Sequence, residues 1–113
     1  MSVLDQMFSE GSQDYYDPLF RVTLETHIPA LRVSAQTYSV NVQPIYTIRY
    51  NQDLFGYLTD LRVAPQLHWL TMRLNNFFSP YDFNSECDTL LIPSIKEVEI
   101  LRQSWKVTPV IST

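Results

Sequence analysis

The chain contains little cysteine and little glycine, and each shortage excludes a class of site. Its 113 residues include a single cysteine, Cys87, so neither an internal disulfide nor a zinc site built from several cysteines is available. The only two glycines, Gly11 and Gly56, are too few for the glycine-rich loop that binds nucleotide phosphates. We therefore expect no cofactor and no metal.

Basic residues and long apolar runs are scarce as well. Eight Lys and Arg stand against twelve Asp and Glu, which gives a net charge of -4. Because phosphate binding depends on clustered cations, we expect no nucleic-acid partner. No apolar run reaches the roughly 18 to 20 residues that span a bilayer, and the first residues lack the pattern of a signal peptide. We expect folding in the cytoplasm and no membrane partner.

Catalytic groups in a recognised arrangement are missing too. His27 and His68 have no Asp, Glu or Cys three or four residues away, where a helix would place a partner. Cys87 lies between Glu86 and Asp88, whose charges raise the pKa of its thiol and disfavour the reactive thiolate. We expect no enzymatic activity. The remaining carboxylates are expected to be solvated, namely Asp14, Asp17, Asp53, Asp60, Asp82, Glu97 and Glu99.

What the chain does have is apolar periodicity, beginning with alternation near the N-terminus. Residues 20–24 place Phe, Val and Leu at every second position, which predicts a β-strand that breaks near Pro29. Alternation resumes over residues 31–35 and again over residues 38–43. The pattern predicts an N-terminal arm with a β-rich extension, residues 1–44, that packs on the rest of the chain or on a partner.

Residues 45–93 read as strand, helix, helix, strand. The strands are predicted over residues 45–50 and 88–93 from their alternation. The first helix is predicted to begin near Asn51, a candidate N-cap, and the second over Pro65–Asn76, where proline suits the first turn and asparagine the end. The buried stripes of the two helices are expected at Leu54, Leu58, Leu61, Leu67, Leu70 and Leu74. The fold class predicted is α+β.

The C-terminal residues 94–113 have two interpretations. Ser94 and Glu97 fit a capping box, which would start a brief helix through Leu101. The alternation that follows instead favours an extended tail in which Trp105 docks on a surface, and the extended C-terminal tail is the interpretation adopted.

Aromatic rings are concentrated where loops are predicted. The stretch 77–86 contains Ser-Pro, Asp and Asn, which are typical of loops, yet it carries four rings. An exposed apolar patch of this kind usually marks an interface, although the rings could instead cover the chain's own core. The candidates for contact with a partner are Tyr15, Tyr16, Phe77, Phe78, Tyr81, Phe83 and Trp105.

In register, these elements resemble a LysM domain. Residues 46–48, Tyr-Thr-Ile, resemble its opening strand, and residues 51–58 are similar to its Gly-Asp-Thr-Leu-Trp-x-Ile-Ala turn and first helix. Asn75–Asn76 resembles the end of its second helix, and residues 88–93 resemble its closing Gly-x-x-Leu-x-Ile-Pro strand. The resemblance implies a LysM-like βααβ domain over residues 45–93.

A narrower resemblance lies on the second helix. Residues 65–70, before Asn75–Asn76 and Tyr81–Asp82, are similar to the Pro-x-Leu-Tyr-Trp run of the LysM-like baseplate wedge proteins of contractile-tailed bacteriophages, with His68 at the tyrosine position. This resemblance implies a structural virion protein of the tail baseplate, assembled in the host cytoplasm and present in multiple copies within a symmetric assembly. The implied partners are other wedge proteins, the central hub or tail-tube proteins, and the sheath-initiating protein.

The alternative function is the one that LysM domains usually have, which is binding the N-acetylglucosamine of peptidoglycan. The resemblance places that groove between the loop after the first strand and the loop after the second helix. The corresponding residues are Asn51, Gln52, Asp53, Phe77 and Phe83. The glycine and threonine of the family's first turn are absent here, and the second loop is long and aromatic.

Overall fold

A computed structural model, which describes residues 13–107, combines several helices with a small two-stranded sheet. The helices are α1 (Pro18–Arg32), α2 (Pro44–Arg49), α3 (Leu54–Asp60), α4 (His68–Leu74) and α5 (Ile95–Val107). The strands are β1 (Tyr38–Asn41) and β2 (Thr89–Ile92), and short 3₁₀ turns occupy Gln13–Tyr16, Pro65–Leu67 and Pro80–Asp82. The α+β class is confirmed, whereas several elements differ from the predicted ones.

Helix α1 replaces the strand predicted over residues 20–24. Its N-cap is Asp17, whose carboxylate accepts the Leu19 N–H at 2.8 Å, and Pro18 occupies the first turn. The buried residues of α1 follow helical spacing, namely Phe20, Leu24, Ile28 and Leu31, while Val22 is 61% exposed. The alternation was misleading because Phe20 and Leu24 satisfy a period of two as well as one helical turn. The strands predicted over residues 20–24 and 31–35 are therefore wrong, and the part of the predicted β extension that forms a strand lies within the run 38–43.

The strand predicted over residues 45–50 is also wrong, because Pro44 starts the short helix α2 instead. The strand that pairs with β2 is β1, which lies within the predicted run 38–43. Their register is antiparallel and pairs Tyr38 with Ile92 and Val40 with Leu90. The chain thus passes from one strand through three helices to the other, and the opening strand comes earlier than predicted.

The two central helices are confirmed. Leu54, Leu58, Leu67, Leu70 and Leu74 are all at most 3% exposed, whereas Leu61 is only partly buried. The N-cap of α3 is Asp53 rather than Asn51, since the Asp53 carboxylate accepts the Gly56 N–H at 3.0 Å. The end of the second helix is also confirmed, because Asn76 has a positive φ of 65°.

The extended C-terminal tail is wrong, because residues 95–107 form α5. Ser94 caps the start of the helix, as the capping-box interpretation predicted, because its hydroxyl oxygen accepts the Glu97 N–H at 3.5 Å. The Glu97 carboxylate, however, accepts from Ser34 rather than closing the box. Packing against other elements stabilises the helix, since the Val98 side chain of α5 is fully buried in the core.

One core holds the elements together. Its buried side chains come from each of the three predicted segments, including Phe20 from the first, Leu58 and Leu90 from the second, and Val98 from the third. Arg32 ties the end of α1 to the end of α4 by donating to the Leu74 carbonyl at 2.9 Å. A helix end leaves such carbonyls without an internal partner, so this contact closes α4.

Candidate functional site

The loop between α4 and β2, called here the aromatic loop (residues 77–86), has a fixed shape. Ser79 and Asp82 form a capping box around the turn Pro80–Asp82. The Asp82 carboxylate accepts the backbone N–H of Phe78 at 2.8 Å and that of Ser79 at 3.2 Å, and the Ser79 hydroxyl accepts that of Tyr81 at 3.2 Å. These bonds fix the directions in which the rings of the loop leave the backbone.

Two of the four rings point inward. Phe83 is 0% exposed and stacks on Tyr57 of α3, with the ring centroids 5.3 Å apart. Phe77 is partly buried against the core. Phe83 therefore presents no ring to a partner, and its place among the contact candidates is corrected: it anchors the loop.

The other two rings point outward. Phe78 is 86% exposed and Tyr81 is 72% exposed. Arg73 of α4 lies beneath the first of them, with its guanidinium carbon 5.9 Å from the Phe78 centroid. Two large rings on a fixed loop, next to a cation, make the kind of surface that partners bind. We call Phe78 and Tyr81 the outer rings.

The seam between α1 and α4 carries further aromatic and charged groups that are partly exposed. Arg21 of α1 lies over the Trp69 ring at 4.8 Å and over the Tyr16 ring at 5.8 Å. One turn along both helices, Arg73 pairs with Glu25 at 2.6 Å. Tyr16 is 39% exposed, and it belongs to this seam rather than to the aromatic loop. The seam leads from Tyr16 toward the outer rings by way of Arg73.

The first and last described elements meet in what we call the terminal junction, formed by Asp14, Tyr15, Glu99 and Arg102. Arg102 reaches the carboxylates of Asp14 and Glu99 at 2.9 Å each, and the Tyr15 hydroxyl donates to Glu99. Asp14 and Glu99 are therefore paired, and the expectation that they are simply solvated is corrected. Trp105 is partly buried and lies 5.2 Å from Phe20. Tyr15 is 2% exposed, so these two rings hold the chain together and do not face a partner.

The terminal junction changes the proton affinities of its members. Burial and the hydrogen bond to Glu99 raise the pKa of Tyr15 above its ordinary value. Burial on its own would raise the pKa of Glu99, but hydrogen bonds from Arg102 and Tyr15 outweigh it and lower that pKa. The cluster is therefore arranged as a neutral tyrosine, a charged glutamate and a charged arginine.

The two loops of the alternative glycan groove do lie side by side. The Gln52 N–H donates to the Phe83 carbonyl at 2.8 Å, and Asn51, Gln52 and Asp53 are all exposed. The aromatic platform expected between them is reduced, because the Phe83 ring is turned into the core. A polar hollow of about 420 Å³ opens beside Phe77, lined by Asp82, Asn84 and Asp88 among others.

His68 is buried and Cys87 is partly buried. His68 is 8% exposed and its Nε2 lies 2.9 Å from the Val63 carbonyl, and burial lowers its pKa. Burial raises the pKa of Cys87, and the nearby charge of Asp88 raises it further. Within residues 13–107, no group of three or more His, Cys, Asp or Glu side chains is placed to hold a metal ion. The helices of that same region are all too short or too polar to cross a bilayer.

Sequence reasoning missed the pairing of Arg21 with Trp69 and of Arg73 with Glu25. Their contacts join α1 to α4 across more than forty residues of chain, since Arg73 and Glu25 are 48 positions apart. The available signal was the spacing of Arg21 and Glu25, and of Trp69 and Arg73, each one helical turn apart. A spacing of four residues places two side chains on one face only in a helix, and residues 20–24 were predicted as a strand.

Comparisons with protein-family models, with curated proteins and with solved structures gave no match to this chain. The outer rings, the α1–α4 seam and the terminal junction are thus interpreted from their own geometry. The outer rings are exposed, the seam is partly exposed, and the charged groups of the terminal junction are more buried, so the outer rings and the seam form the candidate contact surface.

Proposed function

We propose that this protein is a structural adaptor of a contractile phage tail baseplate. In this role it joins other wedge proteins to the central hub or tail-tube proteins, near the sheath-initiating protein, in multiple copies within the virion. The observation that carries the proposal is the pair of outer rings, 86% and 72% exposed, on a loop whose backbone is fixed by its own capping box.

A fixed loop with exposed rings favours binding over catalysis. Aromatic and arginine side chains contribute most of the energy at many protein interfaces, and a loop that is already ordered loses little entropy on binding. Phe78 and Tyr81 are aromatic side chains on an ordered loop, and the guanidinium of Arg73 lies next to Phe78. An adaptor that holds two neighbours in a defined geometry needs such rigid contact points.

The choice of assembly rests on the wedge-like sequence of the second helix. Its proline and tryptophan, its closing asparagines and the Tyr81–Asp82 pair occupy defined places in the fold: Trp69 under Arg21, Asn76 at the helix end and Asp82 in the capping box. The antiparallel pairing of β1 and β2 supports a two-stranded sheet like that of a LysM domain, but residues 46–48, which carried the resemblance to the opening strand, lie in α2, and three helices separate the strands.

Mass spectrometry of purified tail particles from the phage that encodes this sequence tests the proposal. We expect peptides of this protein in tails, at a copy number that fits the symmetry of the baseplate. In assembly complementation, the double variant Phe78→Ala/Tyr81→Ala should be incorporated about tenfold less than the original protein. The matched control is Ile45→Ala/Ile48→Ala, which removes exposed side chains from α2 instead.

Two results would overturn the adaptor proposal. One is the absence of the protein from purified tails. The other is equal incorporation of the outer-ring variant and the α2 control. A peptidoglycan sedimentation assay adds the discriminating arm, because retention that is lost in Phe77→Ala but kept in Phe78→Ala would favour the glycan-binding alternative. The polar hollow beside Phe77 is the observation that makes this alternative specific.

A further inference from the structure

An apolar cleft opens where the chain passes from β2 into α5. Its volume is about 580 Å³, and its apolar walls include Tyr38, Val63, Leu67, Ile92 and Ile95. Two of these side chains keep much of their surface in water, since Tyr38 is 53% and Ile95 is 42% exposed. Covering such walls with an apolar group is favourable, because it removes apolar surface from water. We call this hollow the α5 cleft.

A shallow groove continues from the α5 cleft along the surface of α5. It shares Ile95 and Lys96 with the cleft, so the two hollows adjoin. The groove extends over Glu99, Ile100 and Gln103 and has a volume of about 440 Å³. Ile100 is 66% exposed, which makes part of the groove apolar as well. We call it the α5 groove.

The first described residues lie beside the α5 groove. The Tyr15 hydroxyl donates to the carboxylate of Glu99, which lines the groove. The turn Gln13–Tyr16 also packs against the turn Pro65–Leu67, whose last residue lines the cleft. Glu99 and Ile95 are one helical turn apart, so the cleft begins about 6 Å along α5 from the contact with Tyr15. The chain that precedes this turn is therefore attached next to both hollows.

That preceding segment, residues 1–12, has an apolar face. Val3, Leu4, Met7 and Phe8 are its large apolar residues, and their spacing is that of one face of a helix. A helix of so few residues is only marginally stable in water without a surface to pack on. The segment thus has the side chains that the α5 cleft accepts, and it is joined to the described chain at the right place.

Charge favours the same occupant. Lys96 lines both hollows, and no ion pair within residues 13–107 involves it. The carboxylate of Glu99 in the groove is already paired with Arg102. Residues 1–12 contain Asp5 and Glu10 and neither Lys nor Arg, so the segment offers Lys96 an opposite charge.

The segment that follows α5 is a poorer occupant. Residues 108–113 contain no charged side chain, so they offer nothing to Lys96. They follow the far end of α5, about 18 Å from Ile95, and would have to run back along the whole helix to reach the cleft.

We propose that residues 1–12 bind the α5 cleft of their own chain. Met7 and Phe8 enter the cleft, and the carboxylate of Glu10 lies near Lys96. Because the segment is attached beside the groove, its binding is intramolecular and is favoured by a high effective concentration. The bound segment covers apolar surface that would otherwise be open to other proteins. This inference goes beyond the adaptor proposal and does not depend on it.

Chymotrypsin cleavage after Phe8 in the full chain tests whether the segment is bound. A protease cuts the released segment, so the cleavage rate follows the population of that form. A synthetic peptide with the sequence of residues 1–12 is the reference. We expect cleavage in the protein to be about tenfold slower than in the peptide, or slower still. Overhauser contacts between the Phe8 ring and the Ile95 methyl groups should show the bound position directly.

Ile95→Asp places a charge in the wall of the cleft and should raise the cleavage rate after Phe8 about tenfold. A carboxylate suits the first turn of a helix, so this variant is expected to fold, and a thermal melt checks that it does. Ile48→Asp is the matched control, because Ile48 is 75% exposed on α2 and does not line the cleft. The control should change the cleavage rate by no more than about twofold.

A charge exchange tests the contact with Lys96 without altering the apolar walls. Glu10→Lys should raise the cleavage rate after Phe8 about threefold, as expected for the loss of an exposed ion pair. Adding Lys96→Glu to the same chain should restore most of the protection, because the two charges are then opposite again.

Four outcomes would overturn the inference. The protein is cleaved after Phe8 as fast as the peptide, the Ile95→Asp and Ile48→Asp variants are cleaved equally fast, or the Overhauser contacts are absent. The fourth is a dimer whose protection is lost on dilution, which would assign the cleft to the segment of a second copy. A protein that is found in tails, but whose segment is cleaved as fast as the peptide, loses this inference alone.

Discussion

The terminal junction and the aromatic loop each include the buried member of a pair of neighbouring rings, since Tyr15 of the junction is followed by Tyr16 of the seam, and Phe77 is followed by Phe78 in the loop. Tyr15 is 2% exposed and Tyr16 is 39% exposed, while Phe77 is partly buried and Phe78 is 86% exposed. The two regions differ in what anchors them. The junction depends on charged hydrogen bonds around Arg102, and the loop depends on stacking of Phe83 upon Tyr57.

This difference teaches that an anchor and a contact ring cannot be told apart by residue type. Both regions are rich in aromatics, yet the junction uses its rings internally and the loop leaves two of them free. The chemistry of the anchor also decides which conditions loosen each region. The stacked rings of Phe83 and Tyr57 are uncharged at acidic and neutral pH, because burial raises the pKa of Tyr57, whereas a carboxylate held by arginine loses its charge as the pH falls.

Phe83→Ala is the change expected to break the loop anchor and to have the largest effect. Removing a fully buried ring costs about 3 to 5 kcal/mol of unfolding free energy, because both its burial and its packing are lost. Urea denaturation measures this loss. Phe78→Ala is the matched control in the same loop. A loss below about 1 kcal/mol for Phe83→Ala would contradict the assignment of this ring as the anchor.

Asn75→Ala tests the base of the same loop, with a smaller expected effect. The variant leaves the N–H and C=O of Leu91 without their side-chain partner, at a cost of about 1 to 3 kcal/mol. Hydrogen exchange of the Leu91 amide should speed up in parallel. Asn41→Ala on β1, where the side chain is exposed, is the control, and an equal loss of stability in both variants would show that the Asn75–Leu91 bonds do not stabilise β2.

The fold could be predicted where the spacing of apolar residues fitted a helix and did not fit a strand. Leu67, Leu70 and Leu74 fit only a helix, and Asn76 marks its end, so α4 was predicted with its bounds nearly right. Phe20 and Leu24 fit a strand and a helix equally well. The deciding signals were Asp17–Pro18, a cap followed by proline, and the continuation of the stripe beyond the turn where Pro29 lies.

The candidate site was predictable only as a region. Composition identified the aromatic loop, but which of its rings turns inward depends on Tyr57, which reaches Phe83 from another helix. The terminal junction could not be predicted either, since Arg102 and Asp14 are 88 positions apart in the chain. Local patterns predict the elements, and contacts between distant elements decide which side chains remain free.

The pH dependence of stability should separate the two regions further. The pKa of Glu99 lies below its ordinary 4.5 in the folded protein, so its contribution is present above about pH 4.5 and is lost as the pH falls. The pKa of Tyr15 lies above its ordinary 10.0, so its contribution is present below pH 10 and is lost as the pH rises. The junction therefore weakens at both extremes.

Urea denaturation from acidic to alkaline pH measures this dependence. Because the ion pairs are partly exposed, we expect Glu99→Gln to cost a few tenths to about 1 kcal/mol at neutral pH and to remove part of the acid loss. Tyr15→Phe should remove part of the alkaline loss. Glu86→Gln in the aromatic loop is the control. If it flattens the acid limb as much as Glu99→Gln does, the dependence does not come from the junction.

The smallest effect is expected for the outer rings, and it completes the comparison. Phe78→Ala and Tyr81→Ala should each change the unfolding free energy by less than about 0.5 kcal/mol, because 86% and 72% of these side chains is already in water. The same variants should elute earlier from a hydrophobic-interaction column, since they remove exposed apolar surface. A loss of about 2 kcal/mol in either variant would show that the ring packs inward, and the surface assigned to a partner would then belong to the core.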